Sequence, residues 1–434
     1  MKKFKAVISL LLVLLMALSC LSLAGCGEKK PTIEKDKTTG DEEVAGTAYE
    51  GIEEYAGSTI KFATWIDHTQ GEGAVPMTSF AEKYDIEVVI SPVPEGDYVT
   101  KISGLIGAGQ SPDMIVDNFD YPDILALAMP LDDVKSIDLT DEFWDQDLVN
   151  GMGCINGKHY YVNSLQSPWT YRFMCFYNIK LFEDNGFKTP GEYYEEDNWN
   201  IKTFESCASQ IAKLGDKYVG AAVRPEFAAG IWEASTNYYK DGKFVSGLEN
   251  TALATAFKWS IGGKEKGIFS TSREDVKFKA NECGMLLYGD FGLRSTGGFE
   301  GMDPDIVGYV PMPKVNATDK YYPSTGTLRA YGICKGSKNA EATGYFLRHF
   351  LDFKNYDRET MFKSDEASEF YDKLREMEDH CHLLVKGSYE GNGVIMQVTS
   401  AQVDTALKSV KNQVDAIVAK QNATLEDVKN KQGK

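Results

Sequence analysis

From Ile60 onward the apolar positions switch between two periods, and the switches outline alternating strands and helices. Ile60, Phe62 and Thr64 share every second position, as a strand with one covered face requires. Met77, Phe80, Ala81 and Tyr84 then fall at i, i+3, i+4 and i+7, one stripe of a helix. Ile86, Val88 and Ile90 return to the strand period until Pro92 and Pro94 stop it. Tyr98, Ile102, Leu105 and Ile106 give a second helix, ended by Gly107 and Gly109, before the short apolar run Met114–Val116. Strand, helix, strand, helix, strand predicts a parallel sheet with right-handed crossovers, in which ligands meet the carboxyl ends of the strands. Those ends are Trp65-Ile66-Asp67-His68 and Asp117-Asn118-Phe119-Asp120.

A second α/β region follows. Residues 173–177 read as a strand leading into a short helix over 178–182, closed by Gly186. Asn200 is placed to cap a helix whose Phe204, Cys207, Ala208 and Ile211 share one face. Residues 283–288, 307–310 and 331–334 read as further strands. Val403, Leu407, Val410, Val414 and Ile417 form the stripe of one long helix. Thr424 with Asp427 predicts a capping box that opens a last one.

The start of the chain changes where this body must work. Lys2, Lys3 and Lys5 precede an apolar run from Ala6 to Leu18, too short and wrongly flanked for a stable membrane span. Leu23-Ala24-Gly25-Cys26 ends it and resembles the bacterial lipobox, in which the Cys thiol is acylated and becomes the new N-terminus. Each buried methylene contributes ~0.8 kcal/mol, so two or three acyl chains hold a protein on a membrane. Residues 1–25 are therefore expected to be a lipoprotein signal peptide, and Cys26 the lipidation site. Residues 26–57, rich in Glu, Lys, Asp, Thr and Gly, are expected to form a disordered tether.

Removing the signal leaves 409 of the 434 residues, enough for two lobes. Losing the three lysines takes the formal charge from -18 to -21, which argues against nucleic acid or anionic lipid as a partner. Contact with the membrane is expected through the lipid only. Six cysteines remain beyond Cys26: Cys154, Cys175, Cys207, Cys283, Cys334 and Cys381. Cys175, Cys207 and Cys334 stand in apolar contexts, so mostly free, buried thiols are expected. No CxxC pair is present.

Several blocks, taken in order, resemble the extracellular solute-binding proteins of bacterial ABC importers, in particular the family that includes maltodextrin- and other sugar-binding members. They are Ile60-Lys61-Phe62-Ala63-Thr64-Trp65, Gly107-Ala108-Gly109-Gln110-Ser111-Pro112-Asp113, and Tyr177-Asn178-Ile179-Lys180-Leu181-Phe182 with Gly186. Later come Gly284-Met285-Leu286-Leu287-Tyr288-Gly289-Asp290-Phe291, Val310-Pro311-Met312-Pro313 and Lys335-Gly336-Ser337-Lys338-Asn339-Ala340-Glu341-Ala342. Ile201 departs from the family, where a Trp often opens that helix. The resemblance implies an α/β, two-lobed periplasmic-binding-protein fold of type II, each lobe a mainly parallel sheet flanked by helices. It places residues 58–166 and 312–352 in the first lobe and 167–311 with 353–434 in the second. The crossings would lie near 164–169 and 310–313, where Pro and small residues suit a hinge.

The implied function is a lipid-anchored, non-catalytic receptor on the extracytoplasmic face of the cell membrane. It would capture a carbohydrate, in the main an oligosaccharide, and deliver it to the permease subunits. A monomer without cofactor or metal is expected. A sugar needs aromatic plates against its C–H faces and polar groups at its edge. The candidates are Trp65, Asp67, His68, Asn118, Asp120, Trp169, Tyr171, Arg224, Trp232, Asp290 and Phe291. Phe291 stands where the family often carries a sugar-stacking Trp. Trp144, Trp199 and Trp259 are assigned to packing, and the Asp379-His380-Cys381-His382 cluster to no metal site. No G-x-S-x-G, H-E-x-x-H, EF-hand or Walker A motif is present. Two alternatives stay open. One is the same fold binding a peptide or amino acid. The other is a surface-anchored glycosidase, which would need a pair of carboxyl groups.

Overall fold

The computed structural model describes residues 48–117, 121–169, 171–316, 319–321, 324–327, 329–377, 380–381 and 397–432. The signal peptide and Cys26 lie outside them, as do Asn118 and Asp120. The described chain falls within one compact unit, Thr47–Lys434, built on two large sheets with two two-stranded ones beside them.

The first lobe carries a four-stranded sheet in the order Tyr331–Ile333, Met114–Val116, Thr59–Thr64, Glu87–Pro92. The last three are parallel, with Ile60 opposite Val88 and Phe62 opposite both Ile90 and Met114. Tyr331–Ile333 runs antiparallel to them. The alternation that marks these strands in the sequence has its expected cause, since Ile60 and Phe62 are fully buried. Helix Ala74–Tyr84 covers one face with Met77 and Phe80 and ends at Asp85, which adopts a left-handed φ of 54°. Phe80 meets Phe346 of helix Ala340–Leu351, and Phe62 meets Phe350 of the same helix. Tyr98 pins its own helix to the sheet: its hydroxyl donates to the Ala63 carbonyl at 2.8 Å and accepts from the Val116 N–H at 3.1 Å.

The second lobe carries a seven-stranded sheet. Its order is Phe269–Ser270, Val219–Ala222, Cys283–Gly289, Tyr171–Asn178, Ser324–Thr327, His380–Cys381, with Val307–Val310 also pairing with Tyr171–Asn178. Cys283–Gly289 is buried along its whole length, which explains its unbroken apolar run. Helix Ile201–Ala212 is capped as its sequence predicts. The Asn200 side chain accepts from the Lys202 and Thr203 N–H groups, and Phe204, Cys207, Ala208 and Ile211 are all buried. The buried thiols Cys175 and Cys207 are free and pack with this core, and Cys154, Cys283 and Cys334 are also free.

Four features differ from the sequence reading. The chain does not return to the first lobe at 310–313. Ser324–Thr327 still pairs with Tyr171–Asn178, so the crossing lies between Thr327 and Tyr331. The C-terminal stripe is two helices, Val403–Ser409 and Lys411–Gln432, meeting at Val410. Thr424 caps nothing: it lies inside the second helix, whose stripe continues through buried Leu425 and Val428 without a breaker. The body also begins earlier than residue 58. Tyr49 stacks on Tyr84 at 5.4 Å, and Ile52 is buried, so a few apolar residues within a polar stretch suffice to dock it.

Candidate ligand-binding cleft

Among the described residues the chain passes between the two sheets at 163–169, before strand Tyr171–Asn178, and again between Thr327 and Tyr331. Between the lobes lie two adjoining chambers. The larger, of about 670 Å³, is lined from the first lobe by Trp65 and Glu95. The second lobe contributes Tyr171, Phe173, Arg224, Phe227, Ser272, Arg273, Tyr288 and Phe291, and Arg329 enters from the return crossing. The topology explains the gathering. Trp65, Arg224 and Ser272 each come one or two residues after the end of a strand, where an α/β sheet presents its ligand-contacting loops.

The smaller chamber, of about 360 Å³, is lined by Asp67, His68, Gln70, Glu72, Trp169, Arg294 and Thr296. Tyr171 and Phe291 line both chambers and meet edge to face at 5.1 Å, forming the partition.

Each guanidinium of the larger chamber is backed by an aromatic ring. Arg224 lies 5.2 Å from the Phe227 centroid, Arg273 5.5 Å from Tyr288, and Arg329 4.5 Å from Tyr171 and 5.7 Å from Trp65. Arg224 forms an ion pair with buried Glu226, and Arg273 pairs with Asp275 at 3.2 Å while donating to the Tyr288 hydroxyl at 2.7 Å. In the smaller chamber, buried Arg294 donates to Glu72 at 2.7 Å and to the Pro168 carbonyl, and the Thr296 hydroxyl donates to the same carboxylate at 2.6 Å. Glu72 belongs to the first lobe and Arg294 with Thr296 to the second, so this group ties the lobes beside a crossing.

Of the residues singled out from sequence, Trp65, Tyr171, Arg224 and Phe291 line the larger chamber as expected of plates and edge donors. Asp67 and His68 line the smaller one. Asp67 is solvent-exposed and holds its own turn, accepting from the Thr69 N–H and hydroxyl; those bonds lower its pKa. His68 is buried against Phe62, Trp169 and Phe350, and Gly73 approaches so closely that a Cβ there would lie 2.5 Å from His68 Nδ1. Burial, reinforced by Arg329, pushes its pKa down to about 3, so it is a neutral ring near pH 7.

Trp169, Trp232 and Asp290 take other roles. Trp169 stacks on Phe350 and donates from Nε1 to the Tyr356 hydroxyl at 2.7 Å, showing the cleft only an edge. Trp232 lines neither chamber: it packs on Trp259 in the second-lobe core. Asp290 is fully buried beneath the cleft floor. Burial raises its pKa to about 6, against the pull of Arg294 and Arg172. Trp65 and Tyr171 carried a signal in the sequence through their place at strand ends or crossings. Glu95, Arg273, Arg329 and the Glu72–Arg294 pair did not stand out, because each is polar and gains its place from long-range folding.

Two α/β lobes, joined by crossings around a lined cleft, define the type II periplasmic-binding-protein class. Within it the chain belongs to the bacterial extracellular solute-binding protein family, whose profile matches residues 77–358. Similar solved structures include the galacto-N-biose-/lacto-N-biose I-binding protein of an ABC transporter from Bifidobacterium longum, 15% identical with a TM-score of 0.61, covering 84% of this chain and 98% of that one. The sugar-binding protein MalE from Xanthomonas citri is 16% identical with a TM-score of 0.59, covering 85% and 99%. UgpB from Mycobacterium tuberculosis, solved with glycerophosphocholine, is 13% identical with a TM-score of 0.59, covering 84% and 99%. At such identities the likeness shows a shared fold. No curated protein matches the sequence. Among the described residues no helix is long and apolar enough to cross a membrane.

Proposed function

We propose that this protein is the receptor of an ABC importer, held by a lipid on Cys26 at the outer face of the cell membrane, which captures a saccharide and passes it to the permease. The observation that carries the reading is the larger chamber. Trp65 from one lobe faces Tyr171 and Phe291 from the other across about 670 Å³, with guanidinium edges between the plates. Flat rings suit sugar C–H faces, donors suit hydroxyls, and the volume lies in the range of pockets that enclose multi-ring ligands. The lobes supply opposite walls, so ligand gains contacts only when they approach, and differential affinity drives closure.

The same wall supports a non-catalytic role. Glycoside hydrolysis needs two carboxyl groups facing one bond. Among the described residues lining the larger chamber, Glu95 is the one carboxylate, and Glu72 next door is committed to Arg294. The sugar-binding neighbours, MalE and the galacto-N-biose-binding protein, favour a saccharide, and UgpB shows that the fold also takes a phosphodiester.

A thermal-shift panel on soluble protein starting just past Cys26, which keeps Tyr49, tests this reading. Ligand at 100 times its dissociation constant adds ~2.7 kcal/mol, a clear rise in melting temperature. A rise with one saccharide class, without turnover, is expected. A rise with amino acids or peptides alone, or cleavage of the sugar, would overturn the ligand class or the receptor role respectively.

A further inference from the structure

The larger chamber contains a cation that forms no ion pair with a described residue of the protein. Arg224 and Arg273 each have a carboxylate, Glu226 and Asp275. Arg329 is different. It is 7% exposed, its Nε has no hydrogen-bond partner, and no carboxylate of a described residue lies within ion-pair distance. Its neighbours are the faces of Tyr171 and Trp65 and the neutral Tyr331 hydroxyl. Ring faces hold a guanidinium in place but do not replace an anion, and a buried charge without a counter-ion is costly. The group is an Arg, whose planar fork matches a carboxylate or phosphate with paired N–H donors.

We infer that the ligand is a saccharide bearing an acidic substituent, a uronate carboxylate or a phosphate ester, and that Arg329 receives it. This rests on the saccharide reading above and names its substrate class. Arg329 stands on the return crossing between Thr327 of the second sheet and Tyr331 of the first. Its guanidinium touches a ring from each lobe, Trp65 and Tyr171. An oxyanion bound there is held at the hinge end of the cleft, with the sugar ring extending along Trp65 and Phe291. The two paired guanidiniums at the opposite wall remain available to hydroxyls. The acidic chain as a whole repels such a ligand at long range, so selectivity for it must come from this local cation rather than from steering.

The test is calorimetric titration of the mature protein, intact from residue 27, with matched probes. These are trigalacturonate against its neutral methyl ester, glucose 6-phosphate against glucose, and maltotriose as an uncharged oligosaccharide. An acidic probe is expected to bind about 10- to 100-fold more tightly than its neutral match, the range for a charge-assisted hydrogen bond. Arg329→Met is expected to abolish that preference, while Arg329→Lys, which keeps charge but loses the fork, restores part of it. The uronate and phosphate arms tell which oxyanion is taken. Lys rescue also separates loss of recognition from loss of folding, as does the melting temperature of each variant. Equal or tighter binding of a neutral probe, unchanged in Arg329→Met, would overturn the acidic-ligand inference and leave the saccharide receptor standing. Silence from every saccharide would overturn both.

Discussion

The two chambers of the cleft share a partition, Tyr171 and Phe291, yet use their arginines in opposite ways. In the smaller chamber Arg294 is satisfied within the protein by Glu72 and the Pro168 carbonyl, and Glu72 is further fixed by Thr296. In the larger one Arg329 is buried to a similar degree but faces rings. A buried cation with its own carboxylate stabilises structure, whereas one without it is poised for something brought from outside. The difference separates a tie between lobes from a ligand wall, although both are made of the same residue types.

The strongest way to break the tie is Glu72→Gln, which keeps the shape and removes the charge. Arg294, 1% exposed, then loses its carboxylate partner, and the loss is expected to be about 3 kcal/mol. The melting temperature of ligand-free protein reads it directly. A fall of less than a degree would mean that the bridge is solvated and the smaller chamber is no tie.

The pH dependence comes next. The folded pKa of His68, about 3, lies below its ordinary value, so the unfolded chain takes up the proton first as pH falls. Its contribution is complete above about pH 6.5 and is lost below it, roughly 2 kcal/mol by pH 5. His349, held down to about 4 chiefly by burial, adds to the same limb. Asp290 works the other way: its folded pKa, about 6, is raised, so its contribution is present at low pH and lost as pH rises through 6. Denaturation at several pH values should therefore give a shallower acid limb in His68→Phe and a steeper one in Asp290→Asn than in wild type. Equal slopes in all three would contradict the burial of both groups.

Ligand affinity sharpens the contrast between cleft and core. Phe291→Ala removes a plate shared by both chambers and is expected to weaken saccharide binding about 10- to 100-fold. Trp232→Ala is expected to lower the melting temperature, since the ring packs on Trp259, while leaving the dissociation constant within about twofold. Trp232 and Phe291 were both singled out from the sequence as ligand contacts, and Phe291 had the support of its place after an apolar strand, which Trp232 lacked.

Local support of that kind decides legibility throughout the molecule. The first lobe was legible because its strands alternate and its helices repeat every three or four residues, so burial of Ile60, Phe62, Met77 and Phe80 is written in period. The Asn200 cap was legible for the same local reason. Ser324–Thr327 was not: Ser-Thr-Gly-Thr has no apolar alternation, and pairing with Tyr171–Asn178 and His380–Cys381 makes it a strand. Missing that strand moved the return crossing and hid Arg329, which sits directly after it. Residues that follow apolar strands, such as Trp65 and Phe291, could be found by position. Polar residues such as Glu72 and Arg294, 222 positions apart, meet only through the fold.

The smallest expected effect decides how far the ligand reaches. Asp67 lines the smaller chamber, but its carboxylate is exposed, and one oxygen is occupied by the Thr69 N–H at 2.9 Å and hydroxyl at 2.5 Å. Asn can accept the same bonds through its amide oxygen, so Asp67→Asn should keep the turn. If ligand is confined to the larger chamber, the substitution changes affinity by less than about twofold, within the modest range of exposed polar changes. A loss of tenfold or more would place a sugar hydroxyl on Asp67, past the Tyr171–Phe291 partition. The ligand would then have to span both chambers, and Glu72→Gln would weaken binding beyond its cost to stability. Measuring both variants against saccharides of increasing length distinguishes the cases. A dependence on Asp67 that appears only with the longer ones would mark the smaller chamber as the far end of the site.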